Sequence, residues 1–222
     1  MTTINHPITG EPHVLFPHQA NWTTLPQWSR QWDTGLRAGI QGNEGRAALR
    51  QRALHALTFS VSARTLPERV RLDARVDEAL KSGLAAVPFF GKGAWLAAPA
   101  AAGDTGLNLL DAVNAWPWAA GDYVILLGAD PVFDCAPVGA VAGNALALGA
   151  PLQNAWVAGE SARPLLFGKC SVARETLLSD WFCTVKLTVA ERVNARSAQL
   201  GATPVPAPGV GEQIIGSTNV VG

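Results

Sequence analysis

Four histidines, His6, His13, His18 and His55, fall in the first quarter of the chain and are the residues nearest to metal or acid–base chemistry. His13 and His18 stand five apart across Pro17, a spacing that neither a helix nor a strand aims at one ion. There is no His-Glu-x-x-His pair for zinc, no Gly-x-Ser-x-Gly elbow for acyl transfer, and no glycine loop ending in Lys-Ser/Thr for phosphate. The carboxylates Asp104, Asp111, Asp122, Asp130, Asp134, Glu160, Glu175 and Asp180 are scattered. Two of them folded together would make a glycosidase-type acid–base pair, a geometry that sequence leaves open, although turn and surface roles account for most. Cys135, Cys170 and Cys183 have neither zinc nor iron–sulfur spacing and suit buried thiols of a reducing compartment. The expectation is a protein that is not an enzyme and that binds no metal or cofactor.

Tryptophan is the richer signal, with eight against a single tyrosine. Trp22, Trp28 and Trp32 form one group in sequence, and Trp116 and Trp118 another. Tryptophan anchors interfaces, and its flat indole also stacks on sugar rings. The plain alternative is core filling in a chain short of other aromatics. Charge is the compositional outlier, 15% of residues against a usual figure of about 25%. A folded chain so poor in charge is either poorly soluble alone or covers much of its surface with partners. Lys plus Arg equals Asp plus Glu, 17 each, so no basic excess points to nucleic acid or an anionic membrane. No apolar run approaches the about 20 residues of a membrane helix, and Met1 to His6 lacks the basic and apolar parts of a signal peptide.

Leu54 to Phe90 reads strand, helix, strand with almost no slack. Leu57, Phe59, Val61 and Ala63 alternate with Thr58, Ser60 and Ser62, the period of a half-buried strand. Thr65 and Glu68 make a capping box, Pro67 suits a first turn, and Gly83 suits a left-handed stop. Leu66, Val70, Leu72, Val76, Ala79 and Leu80 fall on one half of the helix and form its expected buried face.

Residues 1–30 read as irregular because Pro7, Pro12, Pro17 and Pro26 interrupt them, and Gln31 to Ile40 can hold a strand. Residues 94–120 read as a linker or excursion. Beyond them Asp122–Leu127, Val132–Val141, Ala145–Leu148, Arg163–Phe167 and Trp181–Glu191 are short strands of a sandwich or barrel. The expected class is α+β, mainly β: a β-sandwich with one flanking helix over 65–83, then a second small β-sandwich or barrel. The expected units are 1–93, 121–193 and an extended arm over 194–222. Val205, Val210, Ile214 and Ile215 give that arm apolar points for docking on a partner, beside Trp22, Trp28, Trp32, Trp116 and Trp118. Val87-Pro88-Phe89-Phe90-Gly91-Lys92 echoes Arg163-Pro164-Leu165-Leu166-Phe167-Gly168-Lys169, which marks either related halves or coincidence.

The chain resembles the distal-tail and baseplate tail-tip structural proteins of long-tailed bacteriophages with non-contractile tails. Ala20-Asn21-Trp22, Arg30-Gln31-Trp32-Asp33-Thr34 and Gly42-Asn43-Glu44-Gly45-Arg46 carry the resemblance first, followed by the strand-helix-strand from Leu54 to Gly91. Ala155-Trp156-Val157-Ala158-Gly159, Arg163 to Lys169 and the alternating closing strand match the family's second part in style. The resemblance implies a β-sandwich flanked by one helix, assembled as a ring without catalysis. Its expected partners are copies of itself, the tail tube and other tail-tip proteins, in the virion after assembly in the host cytoplasm. Some lambda-like tail-tip proteins hold an iron–sulfur cluster on four cysteines; the three here are placed differently, so no cluster is carried over. The competing expectation is a carbohydrate-binding β-sandwich of a host-recognition protein, with tryptophans as stacking platforms.

Overall fold

Alternation makes the strands of this chain, and two caps delimit its helix. A computed structural model describes residues 3–31, 34–38, 44–48, 54–112, 116–129, 131–177 and 182–191. The first part runs β1 (Thr3–Asn5), β2 (Pro12–Leu15), β3 (Gln27–Gln31), β4 (Thr34–Ala38), β5 (Glu44–Ala48), β6 (Leu54–Ala63), α1 (Leu66–Ser82) and β7 (Leu84–Pro88). The second runs β8 (Ala94–Leu96), β9 (Gly106–Leu110), β10 (Tyr123–Leu127), β11 (Phe133–Ala142), β12 (Ala145–Leu148), β13 (Ser161–Leu177) and β14 (Cys183–Glu191). The class is α+β, mainly β, with the one described helix at the expected place.

The helix starts on the expected capping box. Thr65 Oγ1 accepts the Glu68 N–H, and Glu68 Oε2 accepts the Thr65 N–H at 3.2 Å. It ends at Gly83, whose φ of 67° is the left-handed conformation that glycine adopts without a Cβ clash. Its buried stripe is narrower than expected. Leu72, Val76 and Ala79 are buried, but Leu66, Val70 and Leu80 face outward. The helix packs on β2, β6, β7 and β13, and that contact covers only one flank of the apolar half.

Beneath the helix lies a sheet in the order β3-β6-β14-β13-β7-β2-β1, antiparallel except where β2 runs parallel to β7. Leu57, Phe59, Val61 and Ala63 of β6 and Cys183, Val185, Leu187 and Val189 of β14 bury the alternate positions that their sequence pattern marks. β14 pairs with β6 from Cys183↔Ala63 to Ala190↔Ala56, so this sheet draws on both ends of the described chain. Three short strands run through residues 3–31, where the prolines suggest irregular chain. Pro12 stands at the first residue of β2, and Pro17 follows its end, where neither has to donate a ladder hydrogen bond in mid-strand.

β13 is the hinge of the architecture. Its first residues pair with β8 on one side and β10 on the other, and its later residues pair with β7 and then β14. Around its first part, β13-β10-β11-β12-β9-β8 close back on β13 as a six-stranded barrel. Leu107, Leu109, Val124, Leu126, Val138 and Leu146 fill the barrel, joined by Trp118 and Trp156. Within the expected linker over 94–120, Ala94–Leu96 and Gly106–Leu110 are therefore barrel strands. The two echoed segments lie side by side, with Leu165↔Pro88, Leu166↔Val87 and Phe167↔Ala86 in register. Closing the barrel and extending the sheet with one strand removes two sheet edges that would otherwise stand open.

Candidate binding surfaces

β3 lays Trp28 opposite Leu57 of β6, and the indole turns edge-on to Phe89 with centroids 5.4 Å apart. Trp116 meets the same Phe89 ring at 5.6 Å, and His55 lies between them at 5.7 Å from Trp28 and 6.4 Å from Trp116. The Arg30 guanidinium sits 4.2 Å above the Trp28 indole, a cation–π distance. His55 Nδ1 lies 3.3 Å from Glu191 Oε2, and that oxygen also accepts the His55 backbone N–H at 3.0 Å. This histidine–carboxylate pair ties β6 to β14 under a lid of three aromatic rings.

The tryptophans thus regroup in space. Trp116 joins Trp28 around Phe89, whereas Trp118 turns into the barrel and is buried there. Trp22 stands 53% exposed, edge-on to Phe90 at 6.0 Å. Trp32 and the arm residues Val205, Val210, Ile214 and Ile215 lie outside the described residues. Among the described residues, no three His, Cys, Asp or Glu side chains converge as a metal site would require.

Trp22 edges a cleft of about 580 Å³ formed by residues 17–23, the end of β6, the start of α1 and Gly128–Ala129. Several polar groups here are bonded to one another. Asn21 Nδ2 donates to Ser62 Oγ at 2.6 Å, Gln19 Nε2 donates to the Gly128 carbonyl at 2.9 Å, and Glu68 Oε2 accepts the Arg64 N–H at 2.7 Å. The cleft consequently clasps the N-terminal segment to the barrel.

Two outward faces differ from an ordinary solvated surface. On α1, Leu66, Val70 and Leu80 are each more than half exposed. On the barrel, the outward residues of β9, β12 and β11 fall into rows, Asn108 beside Ala145 beside Ala142 and Gly106 beside Ala147 beside Ala140. No side chain in these rows ionises. The water-facing side of an antiparallel sheet usually carries polar and charged residues, so these rows, which line a cleft of about 490 Å³ together with Asp104, are suited to contact. At its border Trp95 and Leu110 form an exposed cross-strand pair. Trp95 is the exposed residue that sequence reading passes over. Its neighbours Ala94 and Leu96 are apolar and buried, so three apolar residues in a row conceal which one points outward.

No protein-family model matches the chain, and no curated protein matches it.

Proposed function

We propose that this chain is a structural subunit of a bacteriophage tail tip or baseplate, forming a ring that joins the tail tube to the distal hub or receptor-binding parts. The observation that carries the proposal is the presence of two separate outward faces rich in apolar or small residues, the α1 side where Leu66, Val70 and Leu80 stand exposed among Asp73 and Asp77, and the Ala/Gly rows of the barrel. A ring of identical copies needs two different patches on each subunit, one for each neighbour. Small side chains on the barrel rows allow a partner's backbone or apolar side chains to approach closely, and the low overall charge fits a subunit covered by others. The resemblance of Ala20–Trp22, Arg30–Thr34 and the Leu54–Gly91 unit to tail-tip proteins supplies the biological setting. The role is one of binding and symmetry, without catalysis.

The reading is tested by placing a charge on each face in turn and measuring assembly by size-exclusion chromatography with light scattering. Val70→Asp on the helix and Ala147→Glu on the barrel should each release subunits from the assembly while leaving the circular dichroism spectrum unchanged. Assembly that survives both substitutions would contradict it.

A further inference from the structure

Pairing of β8 with β13 places Trp95 directly opposite Ser161, with Arg163 two residues further along the same outward side. The register alone therefore puts an indole, a hydroxyl and a guanidinium together on the barrel exterior. Trp95 is 55% exposed. The Arg163 side chain lies over the Phe90 ring, 5.4 Å from its centroid, and donates one hydrogen bond to the Phe90 carbonyl at 3.1 Å. Gly93 lets the chain pass this closely, since a Cβ there would stand 2.9 Å from the Ala162 carbonyl oxygen and 3.2 Å from Arg163 Cγ. These residues and Lys92 line a cleft of about 360 Å³.

Its chemistry is one-sided. Lys92 and Arg163 are the only ionisable groups of the lining, and among the described residues neither meets a carboxylate. The nearest carboxylate in sequence, Glu160, is engaged with the Val157 N–H at 2.9 Å. A guanidinium seated on an aromatic ring with one of its five donors used by a carbonyl is prepared for a carboxylate or phosphate. A flat exposed indole beside it offers an apolar face to a ring with C–H groups on one side. The cleft's size is that of a small-ligand site rather than a macromolecular groove. Net neutrality of the chain, with only two cations here, disfavours a polyanion.

We propose that this cleft binds an acidic sugar, with the pyranose ring against Trp95 and the anionic group between Arg163 and Lys92. The site goes beyond the ring-subunit reading and stands whether or not the chain assembles. Carboxylate and phosphate share the recognising chemistry, so both are probed. The full chain is titrated with glucuronate, glucose 6-phosphate, glucose and acetate, and the indole resonance of Trp95 is followed by NMR after assignment with Trp95→Phe. The expected result is a saturable shift with one or both acidic sugars, and binding of glucose and of acetate at least about tenfold weaker. Arg163→Gln and Lys92→Gln should each weaken the acidic sugar by about tenfold, with added salt acting in the same direction. A response confined to one acidic sugar names the anionic group. An unmoved Trp95 signal with both acidic sugars, equal binding of glucose or acetate, or binding that survives Trp95→Ala would overturn the assignment. Lys92→Gln removes the charge while keeping an aliphatic stem and a polar end, so it decides the charge requirement even where Arg163→Gln disturbs Phe90.

Discussion

The indole N–H of Trp156 donates a 2.7 Å hydrogen bond to Oδ2 of Asp134, inside the rim of the barrel. The same carboxylate accepts the backbone N–H groups of Gln153 at 2.8 Å and Asn154 at 2.9 Å, and the Asn154 side-chain amide at 3.2 Å. One buried acid on β11 thereby organises the whole turn that leads into β13. Asp134→Ala would leave the buried indole and two amides without this acceptor, a loss of about 3 kcal/mol. For a chain of this size the melting temperature should fall by about 6–12 °C, read by circular dichroism. An unchanged melting temperature would show that other acceptors replace the carboxylate.

Gly168 marks the point where β13 changes partners, pairing with Ala85 of β7 on one side and Glu191 of β14 on the other. A Cβ at this residue would collide with the Ala190 carbonyl and stand 2.9 Å from the Glu191 nitrogen. Both obstacles are backbone, so relief requires prising β14 away from β13. Gly168→Ala should therefore destabilise by about 3 kcal/mol or more, seen as loss of soluble protein or a large drop in urea midpoint. A soluble variant with the parent's midpoint would refute the close approach of these strands.

On the proposed function, the two sides of α1 separate stability from assembly. Val76 is 1% exposed, and Val76→Asp puts an uncompensated charge against β6 and β7 at a cost of several kcal/mol. Val70, six residues earlier and 60% exposed, should tolerate aspartate with a change within about 0.5 kcal/mol in the isolated subunit. Thermal unfolding of both variants checks this directly. Equal losses would mean that the helix is rotated relative to the sheet.

Alkaline pH should loosen the fold through its thiols. Burial holds Cys135 up at about 12, with the Asp134 carboxylate pushing the same way, and burial holds Cys170 up at about 11. Unfolding returns each to its ordinary value of 9.0. Above that value the unfolded chain releases protons that the folded chain keeps, so this contribution is complete below about pH 9 and is lost as pH rises toward 11 and then 12. Urea midpoints should decline between about pH 9 and 11, and Cys135→Ala should flatten the decline. A midpoint independent of pH across that window would contradict it.

Local chemistry made the Leu54–Phe90 unit and the closing strand legible. Thr65, Glu68 and Gly83 act within a few residues of themselves, and Leu57 to Ala63 and Cys183 to Val189 obey a period of two whatever surrounds them. What sequence could not convey was pairing at a distance. Nothing local in Ala94-Trp95-Leu96 says that it closes a barrel against Ser161–Ala162, so this stretch passes for linker and its exposed indole goes unnoticed. Trp116 and Trp118 are neighbours in the chain, yet one packs on Phe89 and the other enters the barrel. Leu66, Val70 and Leu80 look like core because amphipathic pattern reports apolarity and not the partner that covers it.

Mass and symmetry of the purified full chain, by native mass spectrometry with negative-stain images of the same sample, test the ring-subunit reading most directly. A closed assembly of identical copies with a single rotational symmetry is expected, reduced to monomers by Val70→Asp or by Ala147→Glu. A monodisperse monomer at every concentration, with no ring in the images, would contradict it.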